Sequence, residues 1–201
     1  MKKFFYFDME TTGLDFNNAE IATIQFHQLN EYNGKPIGKL QILKSWELGE
    51  KGMLEQFKPN LFGGIWDFVF VGKNLSFDFA LLNRRLQHHG LYKDEDKYKV
   101  NLEWMHNRVI IDLKPIMVLM NNGKFVGFSK IIPSRSDLTN AQIPGLIEDK
   151  QYDRVIRYIE DEATEFIAFY EWLHRPDAIG WFTKCWEGDC ESRGYGIPPS
   201  A

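Results

Sequence analysis

The sequence predicts an α/β fold in which a mixed β-sheet carries helices on its faces. Three patterns support this prediction. The first seventy residues read as strands joined by turn residues, the middle couples short apolar strands to helical spacing, and the last periodic segment is one long amphipathic helix. Hairpins followed by strand-helix units imply an antiparallel meander continued by parallel strands.

Each element follows from a local pattern. KKFFYFDM (2–9) is apolar on both faces, as a buried strand requires. IATIQFHQL (21–29) is a second strand and GKLQILKSWEL (38–48) a third, with Asn33-Gly34 supplying the turn between them. A short helix is expected around GEKGMLEQFK (49–58), and FVFVGKN (68–74) is a further buried strand. SFDFALLNRRLQHHG then switches to helical spacing through Phe79, Leu82 and Leu86 and closes at Gly90. VIIDL is a short strand followed by helical KPIMVLM, which NNG (121–123) breaks. PSRSDLTNAQIPG (133–145) reads as a loop, and the best helix runs from Tyr152 to Leu173, stopping before Pro176. One domain over 1–175 and an irregular tail over 176–201 are expected, with no internal repeat or low-complexity tract.

Composition narrows the function. At 201 residues and 23.6 kDa, the chain is long enough for one full core. With 44% hydrophobic residues, 16 Phe, 8 Tyr and 6 Trp, it is too apolar for a disordered chain. A net charge of −4 and a pI near 5.8 exclude a bulk basic footprint, so a polyanionic substrate would need local Lys/Arg or bound metal. No stretch reaches the ~18 apolar residues of a membrane helix, and MKKFFYFDMETTG lacks a secretory apolar region. A soluble cytoplasmic protein without a membrane partner is expected. Cys185 and Cys190 have no second pair to complete a zinc site and read as ordinary reduced thiols, a redox pair being the weaker reading.

Within YFDMETTGL (6–14), Asp8 and Glu10 are two residues apart in an extended chain and therefore project from the same face. Two carboxylates crowded at a strand end repel each other unless a cation relieves them. Asp78 lies where a strand hands over to a helix, and Asp161-Glu162 lie in the last helix. Positions 155, 159, 162, 166, 170 and 173 hold Val, Ile, Glu, Phe, Tyr and Leu, so Glu162 occupies a slot in an otherwise apolar stripe. Asp161 instead lines up with Arg157, Thr164 and Ala168. A buried, unpaired carboxylate costs several kcal/mol, so Glu162 calls for a cation. Tyr158, four residues before it, projects from nearly the same side. Four carboxylates at one strand end suit two hard divalent cations, Mg²⁺ or Mn²⁺, and thereby phosphodiester hydrolysis.

FDMETTGL, VGKNLSFDFALL and YIEDE together resemble the DnaQ-like, or DEDD, 3'-5' exonuclease family on the ribonuclease H-like fold. The resemblance spans some 160 residues. The third motif departs from the family's Tyr-x3-Asp: Tyr158 is followed four residues on by Glu162, with Asp161 one place early as the fallback ligand. His106 with Asp112 has the wrong spacing for the family's His-x4-Asp form. The resemblance implies that Asp8 touches both metals, that Glu10 and Glu162 complete the nucleophile-side site, and that Asp78 holds the other largely through water. It also implies that Tyr158 orients the attacking water, that the backbone around Thr11 and Thr12 with Leu14 receives the terminal nucleotide, and that Asn74 contacts the adjacent backbone. Lys73, Arg84, Arg85 and Lys114 are candidates for phosphate contacts or exposed solubilising charge. The expected substrate is the 3' end of single-stranded DNA or RNA, released as nucleoside 5'-monophosphates. A proofreading role would use a separate polymerase or repair partner. The competing reading is a ribonuclease H-like module that binds nucleic acid or protein without turnover; internal cutting by the same site is a third.

Overall fold

Burial on both faces places the first strand in the middle of the sheet. The computed structural model describes residues 2–64, 66–91, 109–121, 123–124, 136–176 and 178. Cys185, Cys190, His106, residues 133–135 and nearly all of the expected tail lie outside them. Among the described residues the sheet has five strands: β1 (Phe4–Thr11), β2 (Ile21–Leu29), β3 (Pro36–Lys44), β4 (Val69–Gly72) and β5 (Ile110–Asp112), in the order β3-β2-β1-β4-β5. β1, β2 and β3 pair antiparallel, while β4 joins β1 in parallel and β5 joins β4 in parallel. The mixed sheet expected from sequence is the sheet observed.

Alternate residues along the strands feed two helical layers. Phe7, Phe70 and neighbouring Phe68 pack with Phe57 of α1 (Ser45–Phe62) and Phe79 of α2 (Leu75–His88). Ring centroids there lie 4.8 Å (Phe7–Phe70), 4.9 Å (Phe70–Phe79) and 5.5 Å (Phe7–Phe57) apart. Much of the chain's aromatic excess is spent here, at spacings that add to simple area burial. On the opposite face Tyr6 and Val71 meet Met117 of α3 (Lys114–Met120) and Phe166 of α5 (Tyr152–Leu173). Ile143 and Leu146 of α4 (Ile143–Glu148) pack on Val155, Tyr158 and Ile159 at the start of α5.

Three expected boundaries are corrected. The third strand ends at Lys44 rather than Leu48, because pairing with β2 stops at Thr23–Lys44 and Ser45 begins α1. That helix is longer than expected and kinks at Gly49, whose φ of +69° suits glycine. The loop expected through residue 145 instead winds into a 3₁₀ turn (Asn140–Gln142) that leads into α4. Thr139 and Gln142 form a reciprocal capping box there, a Thr-x-x-Gln signal present in the sequence.

Candidate active site

Asp8 and Glu10 lie beyond the point where β1 parts from β4. Parallel pairing ends at Tyr6–Val71, whereas antiparallel pairing with β2 continues to Thr11. Gly72 marks the divergence: a Cβ there would stand 2.7 Å from the Phe7 carbonyl oxygen, so the close approach excludes any side chain. On the far side, β2 holds Asp8 in place. Gln25 Nε2 donates to Asp8 Oδ2 at 3.1 Å, and Thr23 Oγ1 donates to Gln25 Oε1 at 3.0 Å. Tyr6 adds a long contact from its hydroxyl to the same Asp8 oxygen at 3.5 Å.

Asp78 enters from the first turn of α2, whose start is anchored from β5. The Asp112 carboxylate accepts from the Asn74 and Leu75 N–H groups at 2.8 and 3.0 Å, holding Asn74 at a φ of +61°. Lys114 Nζ donates to Asn74 Oδ1 at 2.7 Å. Asn74, expected to contact substrate, and Lys114, a candidate for phosphate contact or exposed charge, thus hold each other. In the sequence Asp112 is weighed only with His106 and set aside; its carboxylate also accepts from Lys114 N at 2.9 Å, while the partners that tie it to α2 lie nearly forty residues away.

Glu162 completes the site from α5. The stripe expected on that helix is the buried one, and Arg157, Thr164 and Ala168, which share a face with Asp161, are exposed. Oxygens of Asp8, Glu10 and Glu162 lie within 4.8 Å of one another. Asp161 is not among them. Asp78 stands outside this trio but is only 5% exposed, and its charge is felt by Glu10. Lys73 Nζ approaches Glu162 Oε1 at 3.7 Å, while Glu162 Oε2 is buried and has no hydrogen-bond partner among the described residues.

The electrostatics follow from this crowding. Burial, then the charge of Glu162, pushes the Asp8 carboxyl up to about 7. Burial and the neighbouring acids raise Glu10 well above the usual carboxylate range, and burial with Asp8 does the same to Asp78. Tyr158 is raised by burial and by Glu162, and its hydroxyl donates to Asn140 Oδ1. Asn140, in the 3₁₀ turn, was missed because that stretch read as loop.

The remaining candidates divide. Thr11 Oγ1 donates to the Gly13 carbonyl at 2.7 Å, and Thr12 Oγ1 accepts from Glu20 N at 2.9 Å; both hydroxyls brace the turn that leaves Leu14 79% exposed. Arg84 is exposed and hydrogen-bonds Asn17. Arg85 is corrected: it is neither a phosphate contact nor exposed charge, because it is buried and forks onto Glu50 through Nε, at 2.7 Å, and a second guanidinium nitrogen.

Could this site hold a metal? The donors are all carboxylate oxygens, the ligand type preferred by Mg²⁺ and Mn²⁺. A buried carboxylate oxygen without a partner is also what a cation would satisfy. Asp8, Glu10 and Glu162, with Asp78 beside them, fit divalent ions.

No family model and no curated protein matches the chain. Among solved structures, it is similar to an exonuclease I described as suggesting how processivity is achieved, with a TM-score of 0.55 at 11% identity over 93% of this chain and 44% of that one. A moderately thermophilic exonuclease I from Methylocaldum szegediense is matched over 74% of this chain and 41% of its own, at 14% identity and a TM-score of 0.49. E. coli exonuclease I in complex with a dA16 oligonucleotide is matched over 58% and 29%, at 14% identity and a TM-score of 0.45. The chain spans less than half the length of each. The first likeness establishes the fold, a ribonuclease H-like mixed sheet flanked by helices.

Proposed function

We propose that the chain is a metal-dependent 3'-5' exonuclease that hydrolyses single-stranded nucleic acid, DNA or RNA, to nucleoside 5'-monophosphates. The observation that carries this reading is the convergence of Asp8, Glu10 and Glu162 within 4.8 Å at a sheet end, with a buried carboxylate oxygen that no described residue satisfies. Asp8, Glu10 and Glu162 would hold divalent ions, with Asp78 the fourth acid and Asp161 excluded by its helical phase. Such ions, when bound, neutralise the scissile phosphate and activate water for in-line attack.

The protein's own groups do the rest. Burial raises the Tyr158 phenol above its usual range, which suits it to orient a water by hydrogen bonding and not to act as the base. Its tether to Asn140 holds the ring beside the acid cluster. Leu14 offers an apolar surface for a terminal nucleobase, while Thr11 and Thr12 keep its turn in shape. Asn74, Lys73 and Lys114 lie on or beside the α2 start, where a phosphate backbone leaving the site would find donors and positive charge.

The test is degradation of matched 5'-labelled single-stranded DNA and RNA with Mg²⁺ or Mn²⁺. Stepwise shortening from the 3' end that EDTA abolishes is expected, and the faster substrate identifies the sugar. Oligonucleotides that stay intact under every metal condition would overturn the enzyme reading in favour of a binding module of the same fold.

A further inference from the structure

Two polar residues buried inside a central strand pair call for an explanation. Thr23 and Gln25 of β2 are both fully inaccessible to solvent, on the same strand as apolar Ile21, Ala22 and Ile24. Their positions in the ladder set them opposite the site: Thr23 faces Glu10 and Gln25 faces Asp8 across the β1–β2 pairing. On the other side β3 presents Ile42 to Gln25, an apolar neighbour that offers no hydrogen bond from its side chain. Burying an amide and a hydroxyl here is costly unless each finds a partner. They find one another and a site carboxylate.

We infer that Thr23 and Gln25 form a two-step positioning relay that sets the orientation of the Asp8 carboxylate for divalent-ion binding, a role that rests on the metal-site reading above. A glutamine amide has two ends of opposite character, and only the NH₂ end can face a carboxylate without repulsion. Thr23 Oγ1 donates to Gln25 Oε1 at 3.0 Å, which holds the carbonyl end away from Asp8 and turns Nε2 toward Oδ2 at 3.1 Å. Asp8 thus meets a donor whose direction is fixed from behind. A neutral donor has a further advantage over a cation in this place: it orients the carboxylate without compensating its charge, so the full negative charge remains for a metal. Partners of this kind behind a ligand commonly contribute ten- to a hundred-fold in metal affinity or activity.

The relay is tested by titrating Mn²⁺ into metal-free wild type, Gln25→Met, Thr23→Val, Thr23→Ser and the Gln25→Met/Thr23→Val double variant. Bound ion is read by electron paramagnetic resonance, and unfolding temperature is measured alongside. Gln25→Met should weaken Mn²⁺ binding by about 10- to 100-fold. Thr23→Val should weaken it by a smaller factor that Thr23→Ser restores. Adding Thr23→Val to Gln25→Met should cost nothing more, because the threonine acts through the glutamine. Wild-type affinity in a folded Gln25→Met protein overturns the relay and leaves the metal site standing. A full additional loss in the double variant also overturns it, by sending Thr23 to another partner. If Gln25→Met does not fold, the Thr23→Val and Thr23→Ser pair decides, equal affinities counting against the relay. Absence of Mn²⁺ uptake by wild type removes the metal site itself, and the relay with it.

Discussion

Two buried groups of charge treat their carboxylates in opposite ways. Glu50, at the kink of α1, accepts from Ile21 N at 2.8 Å, from His89 Nε2 at 2.7 Å and from the Arg85 fork. Burial opposes its ionisation, yet Arg85 and the other donors outweigh burial and hold Glu50 below the usual range. At the acid cluster, by contrast, Lys73 pairs with Glu162 at 3.7 Å while Asp8, Glu10 and Asp78 are all pushed upward. An acid whose donors outweigh its burial is a structural clamp, here tying β2, α1 and α2 together. Acids that crowd one another with too little positive charge destabilise the fold, and the proposal above accounts for that cost by cations supplied from solution.

The contrast is broken or sharpened by removing one group from each side. Asp8→Ala should reduce cleavage on the order of 10³-fold or more, since a lost metal ligand forfeits several kcal/mol of transition-state stabilisation. The same change should move the metal-free unfolding temperature little, because relief of repulsion offsets the loss of the Gln25 amide's partner. Arg85→Met should do the reverse, costing about 3–5 kcal/mol by leaving Glu50 buried and uncompensated, or roughly 10 °C in thermal melts. Comparable effects of both variants on stability would erase the distinction.

A smaller effect is expected from pH. Groups whose folded pKa is raised contribute stability that is complete below their unfolded values, near 4, and lost as pH rises through the folded values, about 7 for Asp8. The metal-free protein should therefore melt a few degrees lower at pH 8 than at pH 5. Glu50 contributes in the opposite sense, losing its stabilisation only as pH falls through its depressed pKa, so it does not act in this window. Saturating Mn²⁺ should raise the melting temperature more at pH 8 than at pH 6, because protons compete for the same oxygens. Differential scanning calorimetry at pH 5, 6 and 8 reads both. Smallest of all, Asp161→Ala should stay within about 0.5 kcal/mol of wild type and leave cleavage unchanged.

What the sequence discloses about this contrast is uneven for a physical reason. β1, the Asp8/Glu10 pair and the Glu162 position are written in local periods of two and 3.6 residues, and the structure follows them. The mixed sheet follows too, since turn residues and strand-helix alternation are also local. The Arg85–Glu50 clamp depends on a pairing 35 residues apart, and Arg85 by itself looks like ordinary helix surface. Asn140 is hidden in the same way, through a partner 18 residues away, and so is the tie from Asp112 to α2. Thr23 and Gln25 left a trace: polar residues two apart inside IATIQF repeat the spacing of Asp8 and Glu10 on the neighbouring strand. Their meaning needed the register that sets them face to face. The end of β3 was missed because SWEL suits a strand or a helical turn equally well, and where its pairing stops is set by β2.

Calorimetric titration of Mn²⁺ into the metal-free protein at pH 8, beside Asp8→Ala and Arg85→Met, tests the central claim most directly. Saturable uptake by wild type, lost in Asp8→Ala and kept in folded Arg85→Met, is the predicted result. Heats no different from dilution for wild type, or equal uptake by Asp8→Ala, would contradict it.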